Sequence, residues 1–97
     1  MACQVILEFH VKDDCIEKAR TWLKRILPDT RAFDGCISIA VVQNQDDLTG
    51  LVVLEQWITR QHYERYLQWR TETGVLNELV AMLAGEPKFR FLDYFGV

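Results

Sequence analysis

Side chains capable of chemistry cluster in one short stretch of the chain, which contains His62, Tyr63, Tyr66 and Trp69. The three aromatic residues recur every three positions, so they would share one face of a helix. An imidazole titrates near neutral pH and can act as a general base, and phenol and indole groups donate hydrogen bonds. We therefore take His62, Tyr66 and Trp69 as candidate catalytic residues. Together such groups could remove a proton from a bound molecule and hold the resulting anion.

The same residues also have a structural interpretation. Tyrosine and tryptophan bury well and need only one hydrogen-bond partner, so Tyr63, Tyr66 and Trp69 could be core or interface aromatics. A lone histidine in the first turn of a helix, as His62 would be, more often faces solvent. Residue statistics favour the structural interpretation over the catalytic one, and both remain open.

Candidate substrate-binding residues are spread over the chain and are His10, Phe33, Trp57 and Tyr63. Phe33 lies in a loop expected to fold against the core, and Trp57 ends an apolar strand, where its indole is structural or reaches a ligand. His10 would share a strand face with Glu8, about 7 Å away, which could orient the imidazole only poorly. His10 is therefore either an alternative base or an interface residue.

The strand that positions this group is the apolar run Leu51 to Leu54, which lacks polar alternation and is expected to lie in the middle of a sheet. Other strands are predicted at 3–11, 36–43 and 88–95. The polar loop at 44–50 predicts an antiparallel hairpin between the second and third strands. If the first and last strands are neighbours, Arg90 can pair with Glu8 across the sheet.

Two helical regions are predicted between these strands. Asp14 followed by Glu17 resembles a capping box and would start the first helix, which Pro28 is expected to end. Thr59 would cap the second helix, which is interrupted at 71–74 and then resumes.

The resulting order is β-α-β-β-α-β, the ferredoxin-like arrangement, an α+β fold with two helices on one face of a four-stranded antiparallel sheet. The other sheet face would expose Ile37 or its neighbours, Leu54, and Leu92 or Phe91, a large apolar patch for a soluble chain. We expect a homodimer joined sheet to sheet.

Composition excludes several function classes. The 97 residues fit a single domain over 1–97, and the balance of 49% apolar and 26% charged residues is that of a soluble globular protein. With a net charge of -3 and no basic stripe, nucleic acid is not an expected partner.

We predict no signal peptide, and no apolar segment approaches the length of about 20 residues needed to cross a membrane. The three cysteines form no C-x-x-C pair, which indicates a cytoplasmic protein with reduced thiols and no metal site.

Two local motifs add a family resemblance. Asp34-Gly35-Cys36 before the second strand, and Leu54-Glu55-Gln56-Trp57 before an aromatic helix, resemble the antibiotic biosynthesis monooxygenase (ABM) domain over nearly the whole chain. The resemblance implies a dimeric α/β barrel. In characterised members it implies a small enzyme that oxidises aromatic polyketides or quinols with dioxygen, without metal or flavin.

The sequence departs from the family in the helix that follows the tryptophan. Many members carry one histidine directly before a leucine of that helix and a second histidine shortly after it. Here Tyr66 precedes Leu67, and 68–71 contains no histidine. His62 lies one turn too early to inherit the role by position. Heme-degrading relatives use an Asn, Trp and His set, and the first strand contains no asparagine, which disfavours heme degradation.

The prediction is a cofactor-independent monooxygenase that oxidises a quinol or aromatic polyphenol. The alternative is a non-catalytic dimeric barrel that binds a small aromatic or lipophilic ligand, and a third possibility is an isomerase or decarboxylase. A pocket between the sheet and the second helix that contains His62 or His10 beside Tyr66 and Trp69 would favour an enzyme, whereas a filled core would favour the binding protein.

Overall fold

The computed structural model describes residues 2–97. Its strands are β1 (Cys3–His10), β2 (Cys36–Gln43), β3 (Gly50–Trp57) and β4 (Lys88–Leu92). Its helices are α1 (Ile16–Ala32), which follows a short 3-10 turn at Asp13–Cys15, α2 (Arg60–Glu72) and α3 (Val75–Met82).

The four strands form one antiparallel sheet in the order β2-β3-β1-β4. The central position predicted for the Leu51–Leu54 run is therefore confirmed, as is the hairpin from β2 to β3. All helices pack on one face, whose core includes Phe9, Leu51 and Val53. The predicted ferredoxin-like α+β fold is confirmed.

The other sheet face is bare, as predicted. Large apolar side chains are exposed on it, with exposed fractions of 52% for Ile37, 44% for Val42, 40% for Leu54 and 45% for Leu92. Arg90 Nη2 lies 3.6 Å from Glu8 Oε2, so the expected ion pair across β1 and β4 is present. This face is a candidate contact surface.

Three predicted boundaries were wrong. The helix does not end at Pro28 but continues to Ala32, because Pro28 is exposed and the buried Thr30 anchors the following turn. The capping box does not form, since Asp13–Cys15 makes a 3-10 turn and the residue preceding α1 has no side-chain cap. β4 ends at Leu92 rather than 95 because its partner on β1 there is Gln4, at the beginning of that strand.

The second helical region follows the prediction. Thr59 Oγ1 accepts the backbone N–H of His62 at 3.2 Å, which is the N-cap contact. Gly74, at φ 79°, separates α2 from α3 in a left-handed conformation that suits glycine. Among residues 2–97, no helix is long and apolar enough to cross a membrane.

Candidate active site

A small cavity of about 50 Å³ lies between the inner face of the sheet and the helices. Its wall is apolar except for Glu55 on β3 and three polar side chains on α2, Tyr63, Tyr66 and Arg70. Three of the leucines in its wall, Leu23, Leu67 and Leu76, are partly exposed.

Glu55 is the only carboxyl among the lining residues. Side chains alternate along a strand, so Glu55 points to the same face as the buried Val53 and Trp57 and is itself only 4% exposed. The indole Nε1–H of Trp57 donates to Glu55 Oε1 at 3.1 Å. Burial raises the pKa of Glu55 to about 7 against the lowering effect of that hydrogen bond. This carboxyl can therefore exchange a proton near neutral pH.

Arg70 is a fully buried cation, 3% exposed, on the last turn of α2. Its Nη2 donates to the carbonyl oxygen of Ile26 at 2.7 Å and to Thr30 Oγ1 at 2.9 Å. Its Nε donates to Tyr66 Oη at 3.0 Å, and that hydroxyl lies 2.7 Å from Thr30 Oγ1. The network joins α2 to α1 and fixes the orientation of the Tyr66 ring.

Glu55 and Arg70 line the same cavity but do not form an ion pair, since no nitrogen of Arg70 lies within 4.0 Å of a Glu55 oxygen. Within residues 2–97, Arg70 Nη1 makes no hydrogen bond, unlike Nε and Nη2. The cavity wall thus includes both a carboxyl that can accept a proton and a cationic side chain. That pairing suits removal of a proton from a substrate hydroxyl and stabilisation of the anion that results.

Five of the sequence-predicted site residues form one aromatic cluster: Phe33, Trp57, Tyr63, Tyr66 and Trp69. Neighbouring ring centroids are 5.0 Å apart for Trp57 and Tyr66, and 5.3 Å apart for Phe33 and Trp69, which stack. The Arg70 guanidinium lies 4.4 Å from the Trp69 ring centroid. Burial raises the pKa of Tyr63, so its hydroxyl stays neutral. Tyr63 and Tyr66 line the cavity, while the other three rings pack behind them.

His62 lies outside the cavity wall. Its Nδ1 is 2.7 Å from Thr59 Oγ1, and its Nε2 is 3.9 Å from Asp34 Oδ2. The ring packs directly on Gly35, where a Cβ would overlap it. Its role as a base stays a prediction, and the structure places it at the entrance to β2 rather than beside Glu55.

His10 lies on the opposite side of the sheet from the cavity. It follows the inward-facing Phe9 and is exposed, with Nε2 3.4 Å from Asp47 Oδ2. Hydrogen bonds from Thr49 first, and then the nearby imidazole, lower the pKa of Asp47. The structure therefore does not bring the two histidines together, and neither is among the residues that line the cavity. The pocket expected of an enzyme, with His62 or His10 beside Tyr66 and Trp69, is not formed, and the group in the cavity that can accept a proton is Glu55.

Sequence reasoning did not identify Glu55 and Arg70 as site residues, although both carry a signal. Glu55 is a carboxyl at an inward position of β3, whose other inward-facing residues, Leu51, Val53 and Trp57, are apolar, and such a carboxyl is rare unless it is paired or functional. Arg70 follows Tyr66 by four residues and so shares its helical face. No group of three or more His, Cys, Asp or Glu side chains within residues 2–97 is arranged to hold a metal ion.

Fold and site together define a class, an α+β protein of ferredoxin-like topology with a proton acceptor and a cation in an apolar cavity beneath its helices. The model of the family described as antibiotic biosynthesis monooxygenase matches residues 3–71. That segment is most of the chain, so the protein belongs to the ABM family, as its motifs indicated. No curated protein matches this sequence.

Solved structures share the fold along nearly their whole lengths. Rv0793 of Mycobacterium tuberculosis is 21% identical with a TM-score of 0.86, and covers 100% of this chain and 98% of its own. A conserved protein of Methanosarcina mazei is 20% identical with a TM-score of 0.87, covering 95% and 91%. SnoaB of Streptomyces nogalater, described as a cofactor-independent oxygenase, is 11% identical with a TM-score of 0.84, covering 99% and 95%. At these identities the likeness establishes the fold alone.

Proposed function

We propose that this protein is a cofactor-independent monooxygenase that oxidises a quinol or another hydroxylated aromatic with dioxygen. The observation that carries the proposal is the pairing of buried Glu55 and buried Arg70 in one apolar cavity without a mutual ion pair. Membership of the ABM family and the fold shared with SnoaB support it.

In the proposed reaction, ionised Glu55 removes the proton of a substrate hydroxyl, and Arg70 Nη1 binds the resulting oxyanion. The electron-rich ring then reacts with dioxygen. A quinol and dioxygen yield a hydroxyquinone and water, so one oxygen atom enters the ring, the other leaves as water, and all four electrons come from the substrate. The pKa of Glu55, about 7, lets the carboxyl accept and return a proton at neutral pH.

The aromatic residues have supporting roles in this proposal. Tyr66, whose hydroxyl is hydrogen-bonded to Arg70 and Thr30, would pack against the ring of the bound substrate. Trp69 would pack against the guanidinium of Arg70. Low polarity in this region keeps water out and strengthens the interaction between the cation and the oxyanion.

Substrate entry requires side-chain movement. A cavity of about 50 Å³ is smaller than the roughly 300 Å³ at which small-molecule sites begin. Leu23, Leu67 and Leu76 line the cavity and are only half-buried, and Leu76 lies two residues after Gly74. We expect these leucines to be displaced when an aromatic ring enters.

We further propose that the protein is a cytoplasmic homodimer joined through the bare sheet face. Leu54 lies near the centre of that face and is 40% exposed. Beyond β4, Phe95 is 93% exposed in the single chain, so the C-terminal segment has an aromatic side chain available for a partner. Covering this surface would remove an apolar patch from water.

The test is oxygen consumption after metal chelation, with no added cofactor, against naphthoquinols, anthrones and catechols. Saturable consumption is expected, and Glu55→Gln should lower kcat by about 10²-fold to 10⁴-fold, the usual contribution of a general base. Tyr66→Phe is expected to lower it less, since Tyr66 contributes a wall rather than a proton.

Two matched variants decide which residue is the base. Glu64→Gln makes the same chemical change at an exposed site on α2 and should retain wild-type rates. His62→Ala should retain most activity. A loss confined to His62→Ala would assign the base to that histidine instead. Binding of a panel member without oxygen consumption would replace the oxygenase with the ligand-binding alternative.

A further inference from the structure

A second cavity, of about 340 Å³, lies on the other side of α1, in a groove between that helix and the edge strand β2. Its volume falls in the range of small-molecule sites. Leu23 and Leu27 line both cavities, so their side chains separate the groove from the candidate active site. The groove is therefore a distinct space.

The rim of the groove is cationic. Arg20, Lys24 and Arg31 line it, and none of its other lining residues is charged. Arg20 Nε pairs with Glu17 Oε2 at 3.1 Å, whereas no carboxylate within residues 2–97 lies within 4.0 Å of Lys24 or Arg31. In a chain with a net charge of -3, two uncompensated cations beside one cavity attract an anion.

Apolar side chains form the floor of the groove and lie between Lys24 and Arg31. Leu27 and Leu51 are buried and Val41 is half-buried. Lys24 lies three residues before Leu27, and Arg31 four residues after it, so all three share one helical face. The two cations are seven residues apart, about 10 Å along the helix axis. An anionic group above Leu27 would be within reach of both.

We propose that this groove binds an amphipathic monocarboxylate, with the carboxylate between Lys24 and Arg31 and the apolar body against Leu27, Val41 and Leu51. An apolar floor disfavours inorganic phosphate, which is polar on every side. The uncompensated cations disfavour an uncharged lipid. The proposal does not depend on the oxygenase activity. Both a fatty acid and an aromatic acid carry the required chemistry.

The experiment is a titration of the ¹⁵N-labelled protein, followed by amide chemical shifts, with octanoate, 2-naphthoate and 1-octanol in turn. One or both acids should produce saturable shifts at Val41 and along α1, with a dissociation constant of about 1 mM or tighter. Tighter binding of octanoate would identify the ligand as a fatty acid, and tighter binding of 2-naphthoate would identify it as an aromatic acid. 1-Octanol should bind at least about fivefold more weakly than octanoate, because it lacks the charge.

Variants test the assigned cations. Lys24→Gln combined with Arg31→Gln should weaken acid binding at least about tenfold, whereas Lys18→Gln, an exposed lysine of the same helix outside the groove, should change it less than about twofold. If the double variant fails to fold, raising NaCl from about 20 to about 300 mM provides the same test, and should weaken the acids but not the alcohol.

Three results would overturn the proposal. The first is the absence of saturable shifts with either acid. The second is equal affinity for octanoate and 1-octanol, which would mean that the charge is not recognised. The third is a set of shifts confined to the candidate active site around Glu55 and Arg70, which would place the acid in the other cavity.

Discussion

Replacing Glu55 by glutamine should change how the stability of the protein depends on pH. Burial raises the pKa of the Glu55 carboxyl from 4.5 to about 7 in the folded state. Below about pH 4.5 the carboxyl is protonated in both states and burial carries no ionisation penalty. As pH rises towards 7, the unfolded chain ionises this group while the folded protein does not, so stability is lost over that window.

The magnitude follows from the two pKa values. The difference between about 7 and 4.5, at about 1.4 kcal/mol per pH unit, corresponds to about 3 kcal/mol. Glutamine has nearly the same shape, can accept the Trp57 indole hydrogen bond, and does not ionise. The free energy of unfolding of Glu55→Gln relative to wild type should therefore increase by about 3 kcal/mol between pH 4.5 and pH 8.

Urea denaturation at several pH values, followed by tryptophan fluorescence, measures this difference. Glu64→Gln is the matched control, because Glu64 is exposed and its replacement should show a much smaller change with pH. The reasoning is refuted if the difference between wild type and Glu55→Gln is constant within about 0.5 kcal/mol over this range. A wild type that gains stability relative to the variant as pH rises would also refute it, since that is the sign of a lowered pKa.

Further substitutions test other contacts. Arg70→Met removes three hydrogen bonds to buried acceptors and should cost about 2 to 4 kcal/mol of unfolding free energy, against less than about 0.5 for the exposed Arg65→Met, both by urea denaturation. Gly35→Ala, at φ 93° and against the His62 ring, should lower unfolding free energy by about 1 to 3 kcal/mol, and an unchanged midpoint would contradict this close packing. Leu54→Asp should convert the proposed dimer to a monomer in sedimentation equilibrium, while Val80→Asp, at an apolar residue on α3 that is more exposed than Leu54, should not.

Local patterns predicted most of the framework correctly. The Thr59 cap, the interruption before α3 and the central apolar strand each follow from short-range rules that the whole fold obeys. Pro28 is the instructive exception, because the sequence around it favours a helix end. Thr30 and Arg70 instead hold the following turn through contacts that come from forty residues away in the chain.

The sequence by itself determined the topology, the bare sheet face and the family, because strand periodicity, turn residues and two short motifs are local properties. It also located the aromatic cluster, since helical spacing brings Tyr63, Tyr66 and Trp69 to one face. The tertiary structure alone decided which titratable group lies beside that cluster. Burial raises the pKa of Glu55, and contacts between helices engage Nε and Nη2 of Arg70 in hydrogen bonds. Both effects depend on packing between α1, α2 and β3, which no single segment encodes.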